Sequence, residues 1–551
     1  MKKRWIALAG LGTVAAVGAA AVRYFPIQTY VLVDRITNPV SPPQPIAWQQ
    51  GPARPTAEGR PPNIVLIVAD DLGINDLSST GTGPADGMLK TPAIDEIGRE
   101  GANFPLGYAA NATCSPSRAA LMTGRYPTRF GFEYTAVPVA FARNIAQSET
   151  DVPHPPVYHS EREKEMPPLA DQGMPANEIT LAETLKTRGY HTMHIGKWHL
   201  GEAKALRPEA QGFDESLGFI SGASKYLPDG DPDVVNEKLP YDPIDRFLWS
   251  ALTDSVQWNG GKRFHVPEYM TDYFAKQAAS AIAANRNRPF FMYLAFNAPH
   301  TPFQAKREDY EALSGIKDHK ARVYAAMIRA LDRGVGTVMS ALKANGLDDN
   351  TIVIFTSDNG GAWYTGLPHI NAPYRGWKAT FFEGGIRVPF FVRWPGHIAA
   401  GSRPAMVAHH MDVYATAVAA AGGTLPPDRK MDSVNLLPTL TNQAGAAQAP
   451  ARTLFWKSGG YRVVRDGDWK LQVADRPART WLFNLRADPT ERVNLAAANP
   501  GEVQRLRGLL DAQARQMPKP LWPALIEDAV RVDVPLNAPW KPGQEYVYWS
   551  N

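Results

Sequence analysis

The chain has 551 residues, 44% of them hydrophobic and 20% charged, which is enough apolar material for a large core and for two or more folded units. Lysine and arginine exceed aspartate and glutamate by only four charges, 58 against 54. That mild excess suits an anionic substrate, and with neither a basic run nor a Gly-rich phosphate loop it speaks against nucleic-acid or nucleotide binding. A single cysteine, Cys114, excludes an internal disulfide and a cysteine-based zinc site.

The chain begins with Lys2-Lys3-Arg4 and an uncharged, Ala- and Gly-rich stretch from Trp5 to Val22. Residues 1–24 therefore read as a signal peptide or signal anchor, with a small-residue cleavage site at Ala19-Ala20-Ala21 and a length near the roughly 17–25 residues that span a bilayer. Residues 25–62 read as a Pro-rich linker or surface arm, carrying Pro39, Pro42, Pro43, Pro45, Pro52, Pro55, Pro61 and Pro62. Ordered structure is expected from the apolar run Asn63 to Ala69, a strand buried on both faces that ends in Asp70-Asp71. Adjacent carboxylates beyond a buried strand need a cation or a well-solvated turn. Thr91, Pro92 and Gly101 bracket a short helix.

The stretch Cys114-Ser115-Pro116-Ser117-Arg118, continuing to Thr123-Gly124-Arg125, places the cysteine at a helix start, because Pro116 suits a first turn and Ala119 to Met122 continue it. A helix N-terminus is an anion site, and Arg118 adds a positive charge one turn on. Residues 126–178 lack periodicity and read as a long loop region near the site. Thr180 and Glu183 form a capping box for a helix that stops at Gly189. A short strand then leads into Lys197-Trp198-His199, where an extended backbone turns Lys197 and His199 to one side. Residues 221–268 read as a second loop-rich insertion.

A helix over Thr271–Asn285, a buried strand from Pro289 to Phe296 ending near His300, a helix over Ala321–Asn345 and a strand from Thr351 to Thr356 ending in Ser357-Asp358-Asn359 follow in turn. Helix and strand alternate, and each strand ends in polar groups. The pattern predicts an α/β fold with a large mixed, mostly parallel sheet flanked by helices, whose ligands bind beyond the strand ends. From about residue 450 the pattern changes: the hairpin Tyr461–Val473 turning at Asp466-Gly467, a strand Trp481–Leu485 and a helix over Gly501–Gln516 predict a smaller antiparallel subdomain. Asp70, Asp71, Asp358 and Asn359 together make a hard-oxygen set suited to Ca²⁺ or Mg²⁺. His409, His410 and Asp412 read as a capped, packed helix rather than a metal site, and the sequon Asn111-Ala112-Thr113 as accidental.

The Cys114 stretch resembles, position for position, the sulfatase signature Cys-x-Pro-Ser-Arg followed by Thr-Gly-Arg, and the likeness extends over most of residues 63–500. The resemblance implies an alkaline-phosphatase-like fold, a catalytic domain over residues 63–449 and a C-terminal subdomain over 450–551. It implies that a formylglycine-generating enzyme converts Cys114 to formylglycine, whose hydrate attacks sulfur in line. Asp70, Asp71, Asp358 and Asn359, with residue 114, would hold one divalent cation, calcium or else magnesium. Arg118 would contact the hydrate, Lys197 and Lys378 would draw charge from the sulfate oxygens, His300 would be the acid and His199 the base. The implied activity is hydrolysis of sulfate esters of carbohydrates or aryl alcohols by an exported, periplasmic or secreted protein, with membrane contact only through an N-terminal anchor. A phosphodiester or phosphonate monoester hydrolase of the same superfamily is the alternative.

Overall fold

Seven consecutive buried residues, Asn63–Ala69, form β1 at the middle of the main sheet. The computed structural model describes residues 26–55, 59–85, 87–148, 152–441 and 452–551, so the signal segment expected over 1–24 lies outside the described residues. β2 (His191–Lys197), β3 (Glu215–Phe219), β4 (Phe290–Ala295) and β5 (Thr351–Ser357) join β1 in a parallel core of order β5-β1-β4-β2-β3. Antiparallel strands extend both edges: Phe390–Arg393 and Ala102–Asn103 beyond β5, Ser255–Trp258 and Phe264–His265 beyond β3. The nine-stranded sheet is mixed, as expected, and helices cover both faces.

The period of two along a strand divides the core. In β1, Ile64, Leu66 and Val68 pack on the face covered by α1 (Cys114–Thr123) through Ala119, Leu121 and Met122. Val65, Ile67 and Ala69 face the other side, against α2 (Met270–Ala284) and the 26-residue α3 (His319–Ala344). α3 starts where the Asp318 side chain accepts the Ala321 N–H at 2.7 Å. The capping box of Thr180 and Glu183 forms with both of its hydrogen bonds.

The two insertions carry more structure than their sequences suggest. Residues 126–178 contain a helix, Val139–Ser148, and a short strand, Val157–Tyr158. Residues 221–268 contain the strand Val234–Glu237 and the helix Pro243–Ala251, whose N-cap Asp242 accepts from Ile244 and Asp245. The Pro-rich stretch expected as a linker includes the helix Pro26–Thr37, and its Trp48 is buried edge-on against Trp258.

The C-terminal part contains a four-stranded antiparallel sheet in which β6 (Tyr461–Asp466) and β7 (Trp469–Asp475) are central, and the helix Pro500–Ala514 packs on it through Leu506 and Leu510. Two further strands, Ile526–Arg531 and Tyr546–Ser550, return to the main body, where the first pairs with Val157–Tyr158. Among the described residues no helix is long and apolar enough to cross a membrane.

Candidate active site

The carboxyl ends of β1, β2, β4 and β5 deliver Asp70-Asp71, Lys197, the loop to His300, and Asp358-Asn359 to one place, as a parallel sheet must when each strand ends in polar residues. α1 completes the group by bringing in Cys114 at its first residue, with Gly124 closing it in the left-handed region. Cys114 Sγ lies 3.7 Å from Asp70 Oδ1, 4.0 Å from Asp71 Oδ1 and 3.3 Å from Lys378 Nζ. Lys197 Nζ binds Asp70 Oδ2 at 2.6 Å, and Lys378 Nζ binds Asp71 at 2.8 Å. Cys114, Asp70, Asp71, Lys197 and Arg118 are essentially inaccessible, whereas His199, His300 and Lys378 are 7%, 8% and 9% exposed. The opening is therefore on the side of the two histidines and Lys378.

Arg118 donates to Asp358 from Nε at 2.9 Å, and to Lys197 O and Tyr293 OH at 3.2 and 3.3 Å. Its hydrogen bonds thus hold a carboxylate of the cluster and the end of β2. Lys197 and His199 do not share an extended backbone, because His199 has φ 58°. Of the five non-glycine residues with positive φ among the described residues, Asp71, His199 and Ala379 belong to this cluster, and strain of that kind gathers at functional sites. Gly222 makes room for the His199 ring, since a Cβ there would stand 2.8 Å from Nε2.

The electrostatics are those of a closed, balanced cluster. Three carboxylates, Asp70, Asp71 and Asp358, face three cations, Arg118, Lys197 and Lys378. Burial and the charge of Asp358 push Asp70 up to about 7, against the pull of Lys197. Asp71 is held well below the usual range: burial opposes this, and Lys378 and His300 outweigh it. Burial pushes the Cys114 thiol up to about 12, so the sulfur is protonated at neutral pH and is a poor nucleophile as a thiol. Burial also lowers His300 to about 3 and His199 well below its ordinary value, leaving both neutral. His300 donates from Nδ1 to Thr301 O at 2.6 Å, which turns the acceptor Nε2 toward Asp71 at 3.7 Å.

The donor set fits a hard divalent cation. Asp70, Asp71, Cys114 and His300 offer ligand atoms within 4.8 Å of one another. Asp358 adjoins them, its Oδ1 accepting from the Asp71 N–H at 3.2 Å. The Asn359 carbonyl oxygen, Oδ1, is buried without a hydrogen-bond partner while its Nδ2 donates to Asp71 at 2.7 Å, an orphaned acceptor of the type a cation satisfies. A dication added to the balanced cluster leaves net positive charge for an anionic ester.

Two members of the site carry no sequence signal. Tyr364 donates to Asp71 Oδ2 at 2.6 Å and receives Lys378 Nζ at 3.2 Å, yet it stands in a one-turn 3₁₀ segment without a motif. His410 bridges Ser117 of α1 and Thr356 of β5 from its two ring nitrogens, at 3.0 and 3.2 Å. Neighbouring Asp412 accepts the His409 N–H at 2.8 Å and pairs with Arg452, so the helix start is packed as expected, but no side chain caps it. Asn111 is 1% exposed, so its sequon is closed to modification in the folded chain. His154 stacks on Tyr546 and His159 pairs with Glu527, both against the last two strands.

Sheet order and the position of this cluster define a hydrolase of the alkaline-phosphatase-like fold. The crystal structure of Ps i-CgsB in complex with k-i-k-neocarrahexaose superposes with a TM-score of 0.69 and 31% identity, covering 84% of this chain and 95% of that one. The family model Sulfatase matches residues 62–423. Human N-acetylgalactosamine-6-sulfatase is 34% identical over 503 residues, 84% of this chain and 87% of that protein. Mouse steryl-sulfatase is 30% identical over 588 aligned positions, 90% of this chain and 87% of its own length. The chain belongs to the sulfatase family and is a sulfuric ester hydrolase.

Proposed function

We propose that this sulfatase is exported and removes sulfate from a saccharide, with residue 114 acting as formylglycine and with Ca²⁺ held by Asp70, Asp71, Asp358 and Asn359. The observation that carries the reading is Cys114 at the start of α1, 3.3 Å from Lys378 and flanked by Asp70 and Asp71. The thiol sulfur stands where the oxygens of a formylglycine hydrate would stand. Once installed by a formylglycine-generating enzyme, the hydrate supplies one hydroxyl to attack sulfur and a second whose collapse frees sulfate, and the cation supplies charge for the sulfate oxygens.

The chain's own residues do the rest. Lys197 and Lys378, paired with the adjacent carboxylates Asp70 and Asp71, draw charge from the non-bridging oxygens. Arg118 keeps Asp358 ionised and aligned behind them. Neutral His199 is in the form that accepts a proton and serves as the base for hydrate collapse. His300, once protonated, serves as the acid for the leaving alcohol; the negative charge of the bound ester favours the protonated form that burial, and after it the lysines, disfavour. The saccharide assignment draws on two of the similar proteins, N-acetylgalactosamine-6-sulfatase and the neocarrahexaose complex of Ps i-CgsB. Residues 63–449 form the catalytic domain and 450–551 the smaller subdomain, and the basic, apolar start of the chain directs export as a signal or anchor.

The test is a peptide mass for the segment containing residue 114, on protein co-expressed with a formylglycine-generating enzyme, alongside sulfate release from an aryl sulfate and from sulfated oligosaccharides. A loss of roughly 18 Da at residue 114 and activity abolished by Cys114→Ala are expected. A residue that stays a thiol in active enzyme would sink the nucleophile.

A further inference from the structure

Lys378 sits on a loop, residues 375–382, that is held from two sides. On the inner side Lys378 N–H donates to Gly361 O at 3.0 Å and Ala379 N–H to Ala112 O at 2.8 Å, which ties the loop to the stretch just before Cys114. Gly376 and Ala379 both have positive φ, 84° and 64°, so the loop shape is one that local preference disfavours for Ala379. The outer side is tied to the C-terminal part of the chain. Gly376 N–H donates to Val532 O at 3.1 Å, and Phe381 N–H to the Tyr461 hydroxyl at 3.2 Å. The Arg375 guanidinium forks onto Asp533 at 2.7 and 2.6 Å, donates to Glu491 O at 2.8 Å, and pairs with Glu545.

A second anchor lies just past the loop. Glu383 N–H donates to Glu491 Oε2 at 2.6 Å. The Glu383 carboxylate receives Lys470 Nζ at 2.8 Å, Tyr108 OH at 2.6 Å and Arg387 at 3.2 Å, and Lys470 Nζ also binds Glu491 Oε1 at 2.9 Å. Glu383, Lys470 and Glu491 are completely buried. Buried ion clusters of this kind contribute little net stability, and their best-supported use is to specify one arrangement over others. Bidentate Arg–carboxylate pairing likewise fixes geometry as well as energy.

We propose that Arg375 and the Glu383–Lys470–Glu491 cluster are positioning elements by which the C-terminal part of the chain sets Lys378 against Cys114 and Asp71. The inference rests on the role given to Lys378 above. None of these four residues touches Cys114, so each acts through the loop.

A double-mutant cycle tests it. Arg375→Lys and Lys470→Met are made singly and in a Lys378→Ala background, in the full chain with calcium present and residue 114 conversion matched by peptide mass. The readout is kcat and KM for 4-nitrophenyl sulfate, well below the melting point of each variant. Each single substitution is expected to lower kcat/KM about tenfold or more, mainly through kcat, because small misplacements of a charge-stabilising group are costly. In the Lys378→Ala background the same substitutions are expected to change kcat/KM by less than about twofold. Equal losses in both backgrounds, or no loss in either, overturn the proposal. If Lys378→Ala alone leaves kcat/KM intact, the role of Lys378 itself fails, a separate and distinguishable result. Should Lys470→Met not fold, Arg375→Lys carries the cycle alone, since it keeps the charge and removes only the fork.

Discussion

Lys378 Nζ lies 3.3 Å from Cys114 Sγ across 264 residues of sequence, and the same ammonium binds Asp71. The neighbouring acids hold Lys378 well above its ordinary value despite burial, so it stays charged throughout the working range. Removing a preorganised charge donor of this kind costs roughly 10²–10³ in kcat. Lys378→Ala is expected to show that loss with an aryl sulfate, and Lys378→Arg to recover part of it. A change confined to KM would mean that the ammonium binds substrate equally in ground and transition states.

The cation should be visible in stability as well as rate. A chelator is expected to abolish sulfate release and calcium to restore it. The melting temperature of the chelated protein should rise with added calcium, by the equivalent of about 2.7 kcal/mol at a hundredfold excess over Kd. Asn359→Ala, which removes the orphaned carbonyl oxygen, should shift that titration to higher calcium. A melting curve indifferent to calcium would sink the assignment of these residues to a metal.

Acid should remove the stability tied to two buried histidines, against the opposite contribution of carboxyls that burial raises, such as Asp76. His194 and His410 are wholly buried, and burial lowers each from 6.5 to about 3. Between those values the unfolded chain binds protons that the folded one refuses. The stability these two histidines contribute is therefore full above pH 6.5 and lost as pH falls toward 3, by about 1.4 kcal/mol per pH unit for each. Denaturant midpoints measured from pH 7 to 4 should show this slope, and His194→Phe should make it shallower. His194 packs among Trp198, Phe213 and Tyr293, so an aromatic replacement keeps the ring contacts. An unchanged slope would count against the linkage.

Gly360, next to Asn359, admits no side chain. A Cβ there would stand 1.9 Å from Gly384 O, a backbone atom that cannot swing aside, and Gly360 N–H donates to Gly385 O at 3.0 Å. Gly360→Ala is expected to cost about 1–3 kcal/mol or more and to weaken calcium binding through Asn359. Chemical denaturation and calcium titration of the variant would check both effects.

Much of this site is legible in the amino-acid sequence, because its signals are local. The cysteine at a helix start, the strand running into Asp70-Asp71, the reciprocal cap of Thr180 and Glu183, and the strand ending in Asp358-Asn359 each depend on residues within a few positions of one another. Short-range hydrogen bonds and the period of the backbone dictate such features wherever the segment lies. The order of residues along the chain is thus enough to specify the α/β alternation and the groups that the strand ends present.

What those residues do to each other is settled by packing. His199 takes a left-handed backbone against Gly222, Tyr364 joins Asp71 from a segment with no motif, and His410 bridges Ser117 to Thr356. Arg118 turns to Asp358, and the last strands fold back to pair with Val157–Tyr158 and to frame the loop of Lys378. These contacts join residues tens to hundreds of positions apart, where no period or spacing survives. They form because burying the cluster leaves each charge and donor with few partners to choose from.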